Sequence, residues 1–151
     1  MMRAAFNDAL KEALKEKDQC AVSTIRLILA ALKDRDIAAR GNGKTEGIGE
    51  DEILGMLQTM LKQRNESIRM YEQGGRLELA EQEKAEMDVI RRFMPQQLDE
   101  AEMNAAVESV VKEIGAKELK DMGRTMAALK EQYAGRMDFS KASGLVRQML
   151  A

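Results

Sequence analysis

The chain contains no histidine and a single cysteine, Cys20. The first absence removes the commonest general base and the commonest metal ligand. The second leaves no intrachain disulfide and no cysteine-based zinc site. Proline occurs once, as Pro95, and aromatic residues make up 3% of the chain. Leu, Ile, Val, Ala and twelve Met must therefore fill any core, with methionine adapting its shape to irregular gaps. No run of about 18 apolar residues occurs, so no segment reads as a membrane span. The N-terminal stretch MMRAAFNDALKEALKEKD is mixed in charge and lacks the apolar block of a signal peptide. The expectation is a soluble, cytoplasmic protein with no cofactor, metal or membrane partner.

What is present is helical. The 151 residues suit one domain or two small ones sharing a hinge, and 44% are apolar, enough for a core. Almost nothing alternates with period two, and nearly every long segment repeats at three and four residues. A first helix is expected over Arg3–Lys15, with Phe6, Leu10, Ala13 and Leu14 inward. Asp18 reads as the N-cap of a second helix that carries Val22, Ile25, Leu29 and Leu32 toward Gly41, its expected C-cap. Cys20, at the start of that helix, reads more simply as a small packed residue than as a reactive thiol. After the polar loop GNGKTEGIGE, a third helix runs from about Glu50 to Gln73, where Gly74-Gly75 stop it. A fourth spans about Leu77 to Met94.

Pro95 ends the fourth helix, because its ring disfavours helical geometry at Met94 and it has no N–H to donate. Asp99 and Glu102 then form the D-x-x-E pattern of a capping box. The boundary falls here. Residues 1–95 are expected to form a bundle of about four helices, and residues 96–151 a three-helix domain, so the fold class is all-α. The fifth helix buries Met103, Ala106, Val107, Val110 and Ile114. The sixth, capped by Asp121, buries Met122, Met126, Leu129 and Tyr133. The seventh, capped by Asp138, buries Phe139, Ala142, Val146 and Met149.

Three polar residues interrupt these apolar faces. Arg64 and Glu83 fall near the centres of the third and fourth faces, and a buried Arg64–Glu83 pair would satisfy both charges. Arg26 lies beside the second stripe, with Glu83 or Glu86 as candidate partners. The alternative for these residues is an open polar pocket between helices. GNGKT, Gly41 to Thr45, imitates the end of a phosphate-binding loop, but Ala38 stands where that motif needs its first glycine and a helix replaces the required strand. No Ser or Cys has a histidine partner, and no carboxylate pair is marked out by its spacing as acid and base.

Charge is unevenly spread. The chain carries a net charge of -2, yet from Lys112 onward eight basic residues face five acidic ones, against sixteen and twenty-one before it. Lys117, Lys120, Arg124, Arg136, Lys141 and Arg147 belong to that excess. Gly115, Gly123 and Gly135 are expected at helix ends, where bare amides can approach phosphate oxygens. Contacts of that kind position an RNA without reading its sequence. A solvated helix surface explains the same charges.

The run FMPQQLDEAEM, with KDMGRTM, YAGRMD and LVRQML, resembles the GatB/YqeY tail domain. That domain closes the B subunit of glutamine-dependent aspartyl/glutamyl-tRNA amidotransferase and is appended to some glutaminyl-tRNA synthetases. TIRLILAALKDRDI and KQRNESIRMYEQGGRLELAEQEKAEMDVI resemble the freestanding YqeY proteins. The resemblance implies an all-helical protein whose tail contacts the outer corner of tRNA. Carried onto this chain, the implied RNA contacts are Lys117, Lys120, Gly123, Arg124, Arg136 and Lys141. It also implies an association with tRNA-dependent amidation, a carbon–nitrogen ligation with glutamine as amido donor, and a partner among the aminoacyl-tRNA-processing enzymes. The catalytic parts of that amidotransferase have no match here, so a non-catalytic accessory role is expected. The alternative is a helical protein-interaction module that does not touch nucleic acid.

Overall fold

The computed structural model describes residues 1–151 and contains seven α-helices and no strands. Its contacts divide the chain into two units, Met1–Met94 and Pro95–Ala151.

The first unit holds α1 (Met2–Glu16), α2 (Gln19–Gly41), α3 (Glu50–Gln73) and α4 (Leu77–Arg91). Two tight turns set its pairing. Lys17 ends α1 in the left-handed region, at φ 58°, and Asp18 immediately caps α2 by accepting from the Ala21 N–H. Gly75, at φ 72°, turns the chain between α3 and α4. Such short links make sequential helices antiparallel neighbours, and α1 packs on α2, α3 on α4, and α2 on both α3 and α4. Phe6, Ile28, Ile53, Met56, Leu57 and Ile90 are fully buried in the core. Burying each such side chain contributes roughly 1.5–3 kcal/mol. Phe6 meets Phe93 edge to face, with ring centroids 4.9 Å apart.

Several local expectations change. Leu14 is 49% exposed and Met149 36% exposed, while Ile28 and Met56, one turn from predicted core positions, are buried. Gly41 remains helical and Asn42 is the C-cap of α2. The fourth helix ends at Arg91, not Met94. Arg92, Phe93 and Met94 instead donate to Val89, Ile90 and Arg91, three residues back. Pro95 disfavours helical geometry at Met94, and a 3-10-type last turn closes the helix before it.

The second unit holds α5 (Glu100–Ile114), α6 (Met122–Gln132) and α7 (Phe139–Leu150), with a 3-10 turn at Leu119–Asp121 before α6. Asp99 and Glu102 close a complete capping box on α5, and Gly115 ends it at φ 67°. Asp138 caps α7 by accepting from the Ser140 and Lys141 N–H groups. Val107, Val110, Leu129, Met137, Ala142 and Val146 centre the core. The entering segment is stitched to the α6–α7 turn. Leu98 N–H donates to the Arg136 carbonyl at 2.8 Å, Arg136 Nε to the Gln96 carbonyl at 3.1 Å, and Gln97 Nε2 to the Gly135 carbonyl.

Asp121 does not cap α6. Its backbone lies in the helical region and no N–H of α6 reaches its carboxylate. The carboxylate turns back and accepts from the Lys117 and Glu118 N–H groups at 3.0 and 3.2 Å. The unforeseen 3-10 turn is the reason: it runs directly into α6, so the capped end is one turn earlier.

Candidate functional site

The basic residues of the second unit sort into three kinds. Lys120 reaches Glu118 at 3.1 Å, and Arg124 reaches Asp121 at 3.3 Å. Arg136 is half-buried, bonded to the Gln96 carbonyl, with its guanidinium 5.9 Å from the Tyr133 ring centre. Lys112, Lys117, Lys130, Lys141 and Arg147 are exposed, and none of them joins an ion pair. Exposed pairs such as Lys120–Glu118 contribute about 0–1 kcal/mol, so a phosphate can exchange for the carboxylate at little cost.

The expected glycines differ. Gly123 is exposed in the first turn of α6, and a Cβ there would meet nothing within 4 Å. Gly115 is exposed too, but Gly135 is buried and its carbonyl is taken by Gln97, so it offers no amide face to a ligand. Its positive φ of 73° serves the turn before α7. The Asp121 carboxyl is held below the usual carboxylate range by the Lys117 and Glu118 N–H groups, with Arg124 adding to them. The loop that presents Lys117 is therefore ordered by its own anion.

In the first unit, Arg64 lies between two carboxylates of α4. Its Nε is 3.1 Å from Glu86 and 3.8 Å from Glu83, and Nη1 donates to the Met60 carbonyl at 3.4 Å. The side chains of Arg64 and Glu86 are 13% and 14% exposed. Glu83, expected as the main partner, is the more distant one. Burial and the neighbouring Glu86 push the Glu83 carboxyl up, against the pull of Arg64. Arg26 departs from expectation: it is exposed on α2, and both carboxylates go to Arg64. Thr24 and Ile25 take the inward positions, and one further residue swings Arg26 about 100° away.

Asp36 was not anticipated. Its Oδ1 accepts from Arg3 Nη2 at 2.7 Å and from the Ile48 N–H at 2.9 Å, while Arg3 also donates to the Ile48 carbonyl at 2.9 Å. Burial pushes this carboxyl up, but the Ile48 bond and Arg3 outweigh it and hold it below its usual range. The carboxylate thereby ties α1, α2 and the loop before α3 together. In that loop, Lys44 of the GNGKT stretch pairs with Glu52 at 3.1 Å.

A family profile described as Yqey-like protein matches residues 3–150. The chain belongs to the YqeY-like family. Fungal relatives of this YqeY-like chain carry the name altered inheritance of mitochondria protein 41, mitochondrial. The Saccharomyces cerevisiae protein is 32% identical over 87 residues, 58% of this chain and 45% of its own length. The Lachancea thermotolerans protein is 29% identical over 107 residues, 70% of this chain and 55% of its own. The chain thus spans about half the length of the curated relatives it matches. No helix of the YqeY-like chain is long and apolar enough to cross a membrane.

Proposed function

We propose that this YqeY-like protein is a non-catalytic accessory that contacts tRNA through residues 96–151, acting as a domain separate from residues 1–95. The observation that carries this reading is the set of open cations on the second unit. Lys112, Lys117, Lys130, Lys141 and Arg147 are exposed without a carboxylate partner, in a chain whose net charge is -2. Lys117 and Lys141 are the leading phosphate contacts. Lys120 joins by exchanging a weak surface pair, Arg124 joins by turning its exposed guanidinium away from Asp121, and Gly123 leaves the start of α6 uncovered. Arg136 orders the turn that precedes α7. Backbone contacts of this kind favour RNA shape over sequence.

In this reading the protein works in the cytoplasm beside an aminoacyl-tRNA-processing enzyme, and its link to tRNA-dependent amidation is one of association. Reversing Lys117 and Lys141 together to Glu tests it. The double variant should bind tRNA more weakly in a filter or fluorescence assay and flatten the salt dependence by about one unit per lost contact. Unchanged binding by a folded double variant rejects the assignment of these residues.

A further inference from the structure

Pairing two amphipathic helices along one face leaves a groove beside the seam. Between α1 and α2 that groove encloses about 300 Å³. Arg3 and Asn7, one turn apart on α1, form one wall. Lys33, Ile37 and Arg40 form the other, at positions i, i+4 and i+7 of α2, which share a helix face. Leu29 and Leu32 make the floor. Ile37 is 54% exposed, an aliphatic side chain with no apolar cover.

The groove is also positive. Asp36 is its one anion, and that carboxylate is already committed to Arg3 and the Ile48 N–H. Arg3 and Asp36 therefore cancel. Lys33 and Arg40 remain as exposed cations outside any ion pair, although Arg40 feels the Asp36 charge at longer range. The Arg3–Asp36–Ile48 clip fixes the walls before any ligand arrives, which lowers the ordering cost of binding.

Those two features select the occupant. A bare phosphate would use the cations and leave Leu29 and Ile37 uncovered. The groove holds no aromatic side chain on which a base could stack. A segment carrying carboxylates around one aliphatic side chain matches both floor and rim. We propose that this groove docks an acidic segment of a partner protein, seating a branched aliphatic side chain against Leu29 and Ile37 and carboxylates at Lys33 and Arg40. The proposal uses no residue beyond Arg40 and the Ile48 clip, so it stands apart from the RNA reading.

The test is amide NMR of the full-length protein titrated with a synthetic peptide carrying Leu between flanking Glu residues in a Gly/Ser background. Signals around Lys33, Ile37 and Arg40 should move. Replacing Leu by Ser in the peptide should weaken binding, and replacing Glu by Lys should abolish it. The K33E/R40E protein should bind the peptide about tenfold more weakly while its other signals and its tRNA affinity stay unchanged. The proposal is overturned by no shifts at millimolar peptide, or by equal shifts with the Lys peptide. It is equally overturned if the Ser peptide or inorganic phosphate binds as well, or if tRNA displaces the peptide, because the groove is then a plain anion or nucleic-acid surface.

Discussion

Glu83 and Glu86 stand one turn apart on α4 and face the same arginine, yet only one of their replacements by Gln should destabilise the fold. Glu86 accepts from Arg64 Nε at 3.1 Å, whereas Glu83 stands 3.8 Å away, outside hydrogen-bond range. Losing the charge at Glu86 removes a charge-assisted bond in a site where both side chains are about one-seventh exposed. The amide oxygen can still accept, so E86Q should cost about 1–2 kcal/mol. Glu83 differs because burial and the Glu86 charge push its carboxyl above the usual carboxylate range. A carboxyl raised on folding adds stability that is complete below its unfolded value and lost as pH rises through its folded value. At neutral pH the ionised Glu83 is thus a liability, and E83Q should match or slightly exceed the wild type. Acidification should then close the gap between wild type and E83Q. The assay is urea unfolding at neutral and mildly acidic pH, followed through amide signals of α3 and α4 so that the second unit does not contribute. An equal loss in the two variants would show that Arg64 is shared evenly, and a neutral E86Q would refute the pairing.

Three further substitutions probe the same unit. Thr24 is fully buried and its Oγ1 has no hydrogen-bond partner, so Thr24→Val should raise stability by about 1 kcal/mol, or roughly 4–8 °C in the Tm of the first unit. A lower Tm would mean that the hydroxyl is satisfied in solution. Gly47 has φ +86°, and a Cβ there would collide with the Asp36 carboxylate, whereas Gly43, at φ +90°, has open space. Gly47→Ala should cost about 2–3 kcal/mol and Gly43→Ala about 1 kcal/mol, measured by thermal melting. Equal losses would show that backbone strain alone acts and that the Asp36 clip is not tight.

Helix identity and order were legible because each is written locally. Asp18, Asp99 and Asp138 each precede an apolar repeat, and each accepts N–H bonds in the structure. The inward faces were legible to within one turn, and the misses lie at the edges of stripes, as at Leu14 and Met149. There a small rotation of the helix decides exposure, and periodicity does not fix that rotation. Partner choice was less legible. Arg64 was expected to pair with Glu83, but Glu86 lies one turn along the same face, and periodicity does not say which of the two the Arg64 Nε reaches at 3.1 Å and which it leaves at 3.8 Å. Asp36 was invisible for a different reason. Its partners, Arg3 and Ile48, lie 33 and 12 residues away, and only tertiary closure brings them together. The one available signal was Gly47, whose positive φ lets the loop pass over the carboxylate.

The strength of any tRNA contact is bounded by the same structure. Five cations of the second unit are exposed and unpaired, and each that neutralises a phosphate releases counterions. If all five engage, the logarithm of the binding constant should fall with the logarithm of salt at a slope of about -3.5 to -4.5. Raising salt from about 50 to about 200 mM would then weaken binding by roughly 100- to 500-fold. Five is the limit for the unpaired cations, because one rigid duplex surface does not reach every face of a three-helix unit. A shallower slope counts the cations that engage, and reversing them one at a time identifies them. A slope steeper than -5 demands phosphate contacts beyond these residues, with Lys120 and Arg124 the nearest reserve. If reversing those two left so steep a slope intact, the surplus contacts would lie on other residues.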